Sequence, residues 1–176
     1  GEMRGRHVID ALKLGYCFGF VGGGDIHDGR PGDDLHQDSY PPKSFVSRPG
    51  GLTGAWVPRL TREDLFDAVS GHRTYATAGS RIYLEVIPRR RGSRLDVSLR
   101  VASEDGIRDA VMVRHGAEVA TVRPERDPRA IETVMETAFL APDEFLYVRA
   151  TTPTGRMAWS SPLWGEAGVR KGARHV

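Results

Sequence analysis

Val8, Ile9 and Leu12 fall at helical spacing between His7 and Leu14, and Gly15 follows, which predicts a short helix stopped by a glycine. Tyr16 to Val21 is then an apolar run interrupted by Gly19, of the length expected for a strand buried on both faces. Residues 28–50 carry Asp28-Gly29, Arg30-Pro31-Gly32, Pro41-Pro42 and Pro49-Gly50-Gly51, the punctuation of a long irregular loop. A short strand is expected over 51–57. Thr61 then stands where its hydroxyl can cap a helix with the acidic first turn Glu63-Asp64. Leu65, Phe66, Ala68 and Val69 supply the apolar face of that helix, and Gly71 ends it.

After Thr77 the period changes from 3.6 to 2. Ile82, Leu84 and Val86 alternate, as do Leu95, Val97, Leu99 and Val101, then Val111 and Val113. Later, Phe145, Tyr147 and Arg149 interleave with Leu146 and Val148. Turns are marked at Asp105-Gly106, His115-Gly116 and Thr154-Gly155, with His115-Gly116 expected as a tight hairpin. The fold class is therefore α/β plus β. An α/β region is expected over 1–79, an antiparallel β-sandwich of about six or seven strands over 80–165, and a basic flexible tail over 166–176.

With 39% hydrophobic and 27% charged residues among 176, the chain has the composition of an ordinary soluble globular protein. No apolar run reaches the length of a membrane span, and no signal peptide is present, a pattern that leans to the cytoplasm without fixing the compartment. Cys17 is the single cysteine, which excludes an internal disulfide framework and reads as a small buried hydrophobe. A net charge of +2 does not argue for nucleic acid, and the basic turn Arg89-Arg90-Arg91 with Arg94 lacks interleaved aromatics and reads as a solvated hairpin tip. Charge distribution is more telling. Asp25, Asp28, Asp33, Asp34 and Asp38 face only Arg30 between residues 25 and 38, an acidic island in an arginine-rich chain.

Within that island, Asp25-Ile-His27 places a carboxylate and an imidazole on one loop directly after an apolar run and three glycines. Such a pair is a natural presentation of donors to a divalent cation. The same residues also serve as an ordinary turn-capping Asp and a solvated His. Asp28 can orient His27 or form the turn before Gly29. Arg30 can bind a phosphate or carboxylate bidentately or pair with neighbouring aspartates. Asp34-Leu-His36 repeats the triplet and reads as a solvated acidic loop.

Taken in order, Asp25-Ile-His27, Arg30-Pro-Gly32, Gly50-Gly-Leu-Thr53, Thr61-Arg-Glu63, Arg73-Thr-Tyr-Ala-Thr77, Gly79-Ser-Arg-Ile82 and Ala158-Trp-Ser-Ser-Pro162 carry a resemblance over about residues 7–164. The chain resembles the C-terminal part of a largely uncharacterised family, a domain of unknown function, related to the PHP (polymerase and histidinol phosphatase) metal-dependent phosphoesterases. The resemblance implies a distorted β/α barrel holding zinc, manganese or iron, of which residues 1–79 would be the C-terminal portion, followed by the sandwich. It places Asp25 and His27 among the metal ligands, with Arg30 as the residue suited to a small phosphate-containing substrate and Asp28 as a candidate to orient a ligand. Arg73, Tyr75 and Arg81 match motifs where the barrel would meet the sandwich, and they either reach the metal site from around it or, the favoured expectation, bond buried backbone at that junction. The family's first His-x-His motif and its intervening His and Glu ligands are absent from this sequence. The expectation is therefore a chain inactive alone, whose partner is a missing N-terminal barrel half of the same polypeptide. Its open barrel edge invites self-association. The competing expectation is a non-catalytic sandwich module that binds carbohydrate or protein.

Overall fold

A computed structural model describes residue 5, residues 7–24 and residues 50–165. Two helices, α1 (Val8–Lys13) and α2 (Arg62–Ser70), accompany ten strands: β1 (Gly51–Ala55), β2 (Thr74–Ala78), β3 (Tyr83–Arg91), β4 (Arg94–Ala102), β5 (Asp109–Arg114), β6 (Ala117–Val122), β7 (Ala130–Ala138), β8 (Phe145–Thr151), β9 (Met157–Ser160) and β10 (Leu163–Trp164). A seven-stranded sheet runs in the order β1-β2-β9-β8-β5-β6, with β10 also on β8, and a three-stranded sheet runs β3-β4-β7.

The expected antiparallel sandwich is present, and its periodicity is the one read from the sequence. Leu95, Val97, Leu99 and Val101 of β4 are buried, while Arg94, Ser98, Arg100 and Ala102 of the same strand are exposed. The buried set meets Ala110, Met112, Leu146, Val148 and Ala150 from the larger sheet in one apolar core. On the solvent face of the smaller sheet, cross-strand pairs replace apolar contacts, with Arg94 3.1 Å from Glu136 and Arg100 2.9 Å from Glu132. The hairpin turns also fall where expected. His115 (φ 47) and Gly116 (φ 87) both occupy the left-handed region, as a two-residue hairpin turn requires.

Other expectations are corrected. The strand expected over 16–21 is an extended segment that belongs to no sheet; Tyr16 and Val21 are exposed, and Phe18 and Phe20 only partly buried. Cys17, in the same segment, is likewise partly rather than fully buried. The barrel rhythm expected before residue 79 is not seen among the described residues, where every strand pair is antiparallel. Strands β1 and β2 instead extend the seven-stranded sheet through β9, with Tyr75 opposite Ser160 and Thr77 opposite Ala158. Strand pairing therefore runs across the line drawn at 79/80. The region from 80 to 165 itself holds eight strands, β3 to β10, rather than six or seven, because the β9 segment is broken by Ser161-Pro162 into two.

The last correction concerns α2. Its start is as read, with Thr61 Oγ1 accepting from the Asp64 N–H at 3.1 Å. Of its expected apolar face only Ala68 is buried; Phe66 is 72% exposed and Val69 50%. Its C-terminus also differs, because Gly71 keeps φ −87 and the left-handed residue is His72, φ 56. The Arg73 N–H bonds Ala68 O at 2.8 Å and the His72 N–H bonds Val69 O at 3.2 Å, the two bonds of a Schellman ending with histidine in the glycine position.

Arg114, on β5, joins the two sheets at one end. Its guanidinium donates to Thr137 Oγ1 at 3.0 Å, to Ala138 O at 2.9 Å and to the Glu144 carboxylate. These bonds, with the Ala141 N–H bonded to the same carboxylate at 2.9 Å, hold the Glu144 pKa below its usual value. A depressed folded pKa stabilises the native state fully above the ordinary glutamate value of about 4.3 and is lost as pH falls through the folded value. Replacing Glu144 with Gln is expected to flatten the fall in melting temperature between about pH 5 and 3. An unchanged acid limb in E144Q would show that this pair does not couple folding to pH.

Candidate functional site

The extended segment 16–24 ends one residue before Asp25, so the way the fold holds it decides how the Asp25-Ile-His27 triplet is presented. It lies on the face of the seven-stranded sheet turned away from the sandwich core, over the small residues Gly51, Ala76 and Ala78. Side-chain hydroxyls take the place of a strand ladder. The Phe20 N–H donates to Ser161 Oγ at 2.8 Å, and Thr74 Oγ1 donates to Phe20 O at 2.8 Å. Thr74 Oγ1 and Ser161 Oγ are themselves 3.2 Å apart, and the Ser161 N–H bonds Thr74 O at 3.2 Å. At the next anchor the Gly22 N–H donates to Thr53 Oγ1 at 2.9 Å, and Thr53 Oγ1 donates back to Gly22 O at 2.8 Å. Both polar backbone groups of Phe20 and of Gly22 are thus satisfied by side chains from three separate strands or turns.

Glycine is needed where this contact is closest. A Cβ on Gly22 would stand 2.3 Å from Leu52 O, and one on Gly51 would stand 2.7 Å from Gly23 O. The side-chain contacts complete the seat: Phe20 meets Tyr147 edge-on at 5.8 Å, and Leu12 of α1 is 1% exposed. Thr53, Thr74 and Ser161 were not singled out from the sequence, yet each sits inside one of its short motifs.

Among the residues expected at the site, Asp25, His27, Asp28 and Arg30 lie outside the described residues, as do Asp34 and His36 and the tail 166–176. Arg73 and Tyr75 come together on the border of one cleft of about 850 Å³. Tyr75 points to the core side of its sheet, opposite the 16–24 segment, and packs against Trp56 at 6.0 Å and the sandwich core. Burial pushes its phenol pKa up, partly offset by a hydrogen bond with the Leu84 backbone. That ring lies so close to β1 that a Cβ on Gly54 would be 2.1 Å from it. Arg81 is exposed and borders a different hollow with Thr77, Tyr83 and Arg129. Among the described residues no group of three or more His, Cys, Asp or Glu is placed to hold a metal ion. No helix among them is long and apolar enough to cross a membrane.

Comparison with known proteins gives relatives without an assigned activity. The family described as "Protein of unknown function (DUF3604)" matches residues 36–113. An uncharacterised protein of Chlamydia pneumoniae is 31% identical over 181 residues, and one of Chlamydia muridarum (strain MoPn / Nigg) is 29% identical over 183. A third, from Chlamydia trachomatis serovar D, is 29% identical over 183 residues. Each alignment covers 89% of this chain and 28% of the relative, so the chain spans little more than a quarter of the length of these proteins. No solved structure matches it. The chain is thus similar, through its central region, to a family of unknown function and, along most of its length, to part of much longer chlamydial proteins.

Proposed function

We propose that this chain is part of a metal-dependent hydrolase of the PHP type, acting on a phosphoester or a related bond, with Asp25 and His27 as ligands to a divalent ion. The observation that supports this reading is the double anchoring of Phe20 and Gly22. A fold that spends three hydroxyl side chains and a close glycine contact to immobilise the residues before Asp25 is suited to hold donors still, as ligation requires. The donor types fit: a carboxylate and a neutral imidazole suit zinc, manganese or iron. When bound, such an ion would supply an acidified water as the nucleophile.

On this reading His27 is held neutral, Asp28 orients it, and Arg30 binds the substrate's anionic group through its guanidinium fork. Two donors do not fill a coordination shell, so the remaining ligands come from elsewhere in a longer polypeptide, in keeping with relatives of which this chain covers 28%. The chain alone is then expected to show no turnover.

The test is metal content, by elemental analysis, and phosphomonoester and phosphodiester hydrolysis in a polypeptide extended upstream of residue 1. Asp25→Ala and His27→Ala should each lose bound metal together with at least a hundredfold of activity, about 2.7 kcal/mol or more in transition-state stabilisation. An extended protein that binds no metal, or variants that keep both metal and turnover, would overturn the reading.

A further inference from the structure

Of the large apolar side chains that stand exposed among the described residues, eight lie at or before Val69 and four in the longer stretch after it. The four are spread over β3, β6 and β7, which is ordinary for a protein surface. The eight are not spread in this way, and α2 with the residue before its cap carries four of them: Leu60, Leu65, Phe66 and Val69. Successive residues of a helix are separated by about 100° around its axis. Ala68, 0% exposed, marks the side that α2 turns to the rest of the fold, and partly buried Asp64 lies one turn before it on that side. Leu65, Val69 and Phe66 stand at roughly 60°, 100° and 160° from Ala68, so they form one apolar flank. Glu63, Asp67 and Ser70 occupy the other flank.

A helix of nine residues is marginal by itself, and in proteins most of the stability of a helix comes from the apolar face it packs. In α2 the fully buried share of that face is one alanine. Leu60 and Leu65 take the positions of a hydrophobic staple around the Thr61 cap, yet Leu60 is 86% exposed, so the pair stays open to water. The cap and the Schellman ending fix the two ends of α2 without burying its flank. The helix therefore has a face suited to packing and, among the described residues, nothing packed on it. By contrast, the solvent face of the smaller sheet is finished with ion pairs between Arg94 and Glu136 and between Arg100 and Glu132.

The chlamydial relatives align over 89% of this chain and only 28% of their own length, so most of each relative lies outside the stretch they share with it. We infer that the flank formed by Leu65, Phe66 and Val69, with Leu60, is the surface on which the remainder of a longer polypeptide, upstream of residue 1, docks through an apolar face of its own. The excess of exposed apolar residues in the part of the chain before β2 puts this surface on the element group nearest to that polypeptide in sequence. The inference rests on the part of the hydrolase reading that sets this chain in a longer polypeptide, and not on its metal ligands or its reaction.

The test is amide hydrogen exchange in α2, measured in the whole chain and in a polypeptide extended upstream of residue 1, both in excess chelator so that no metal contributes. The amides of residues 65–70 should exchange at least about tenfold more slowly in the extended protein. Phe66→Glu should abolish that added protection, because the new carboxylate would be buried without a partner. In the whole chain alone the same substitution should change exchange by less than about twofold, since the position is 72% exposed and glutamate is a good helix former. Asp67→Lys, on the other flank, should leave the added protection in place. Equal exchange of α2 in the two proteins overturns the inference, as does a Phe66→Glu variant that keeps the protection. Protection that rises with protein concentration assigns the flank to a second copy of the chain and overturns it as well. An extended protein that binds no metal but protects α2 through Phe66 sinks the hydrolase reading and leaves this surface standing; metal binding without such protection has the opposite meaning.

Discussion

Phe145→Ala is expected to destabilise the folded chain by about 3–5 kcal/mol, the usual range for emptying a buried aromatic site. Phe145 is 0% exposed, but it does not belong to the core between the two sheets. It lies on the outward face of the seven-stranded sheet, stacked on Tyr147 at 6.5 Å and 5°, against Trp164 at 5.3 Å and His115 at 5.2 Å. Tyr147 in turn carries Phe20 of the extended segment. A second, smaller core therefore covers this face, and its lid is the N-terminal part of the chain. Removing the ring should leave a cavity and loosen α1 and residues 16–22 before the sandwich itself melts. Urea unfolding with a second probe on amide exchange would separate the two. Val119→Ala, at a position 48% exposed on β6, serves as the control and should change stability by less than about 0.5 kcal/mol. A loss below about 1 kcal/mol in F145A would mean that the outer layer contributes no packing of its own.

Gly22→Ala should cost about 1–3 kcal/mol or detach the segment altogether, because the added methyl has only backbone in its way. Its Cβ would meet Leu52 O at 2.3 Å and Leu52 C at 2.9 Å, atoms fixed in the β1–β2 ladder and unable to turn aside. The neighbouring glycine gives a direct comparison. A Cβ on Gly23 meets nothing within 4 Å, so Gly23→Ala is expected to be neutral. The two substitutions have the same chemistry and adjacent positions, and differ only in tertiary surroundings. In Gly22→Ala the amide protons of Phe20 and Gly22 should lose their protection while those of β4 and β8 keep theirs. Equal behaviour of the two variants would show that the segment does not lie on β1 in solution. If the metal-binding proposal holds, Gly22→Ala should also lower the metal affinity of an extended protein, because the same segment leads into Asp25, whereas Gly23→Ala should not.

The apolar patterns of the chain carried most of the sandwich. Leu95, Val97, Leu99 and Val101 alternate because one face of β4 meets the core and the other meets water, and a period of 2 can arise from little else. Thr61 at the start of α2 and His115-Gly116 in the β5–β6 turn were legible for a similar reason. Caps and tight turns are decided within a few residues, where local sterics and local hydrogen bonds dominate.

The misreadings share a different origin. The run Tyr16–Val21 is as apolar as a central strand, and nothing within it reveals that its hydrogen bonds go to Ser161, 141 residues away from Phe20, rather than to a neighbouring strand. Likewise the helix over 8–13 followed by an apolar run matches a β/α rhythm locally; only the pairing of β2 with β9, near the far end of the chain, and of β1 with β2 makes these strands antiparallel members of the larger sheet. Phe145 to Ala150 shows the limit from the other side. Read from the sequence as an alternating strand, β8 is in fact buried on both faces, because the outer layer covers Phe145 as the core covers Leu146 and Val148. The cleft behind Trp56 and Trp164 exists because Pro162 parts β10 from β2, so no spacing of residues in the sequence encodes it. By itself the sequence determined the period of the sandwich strands, the N-terminal cap of α2 and the tight turns, since these depend on neighbours a few bonds away. Which strands pair, what covers the outer face and where a cavity opens were decided only by tertiary structure, because those contacts join residues whose separation along the chain leaves no local trace.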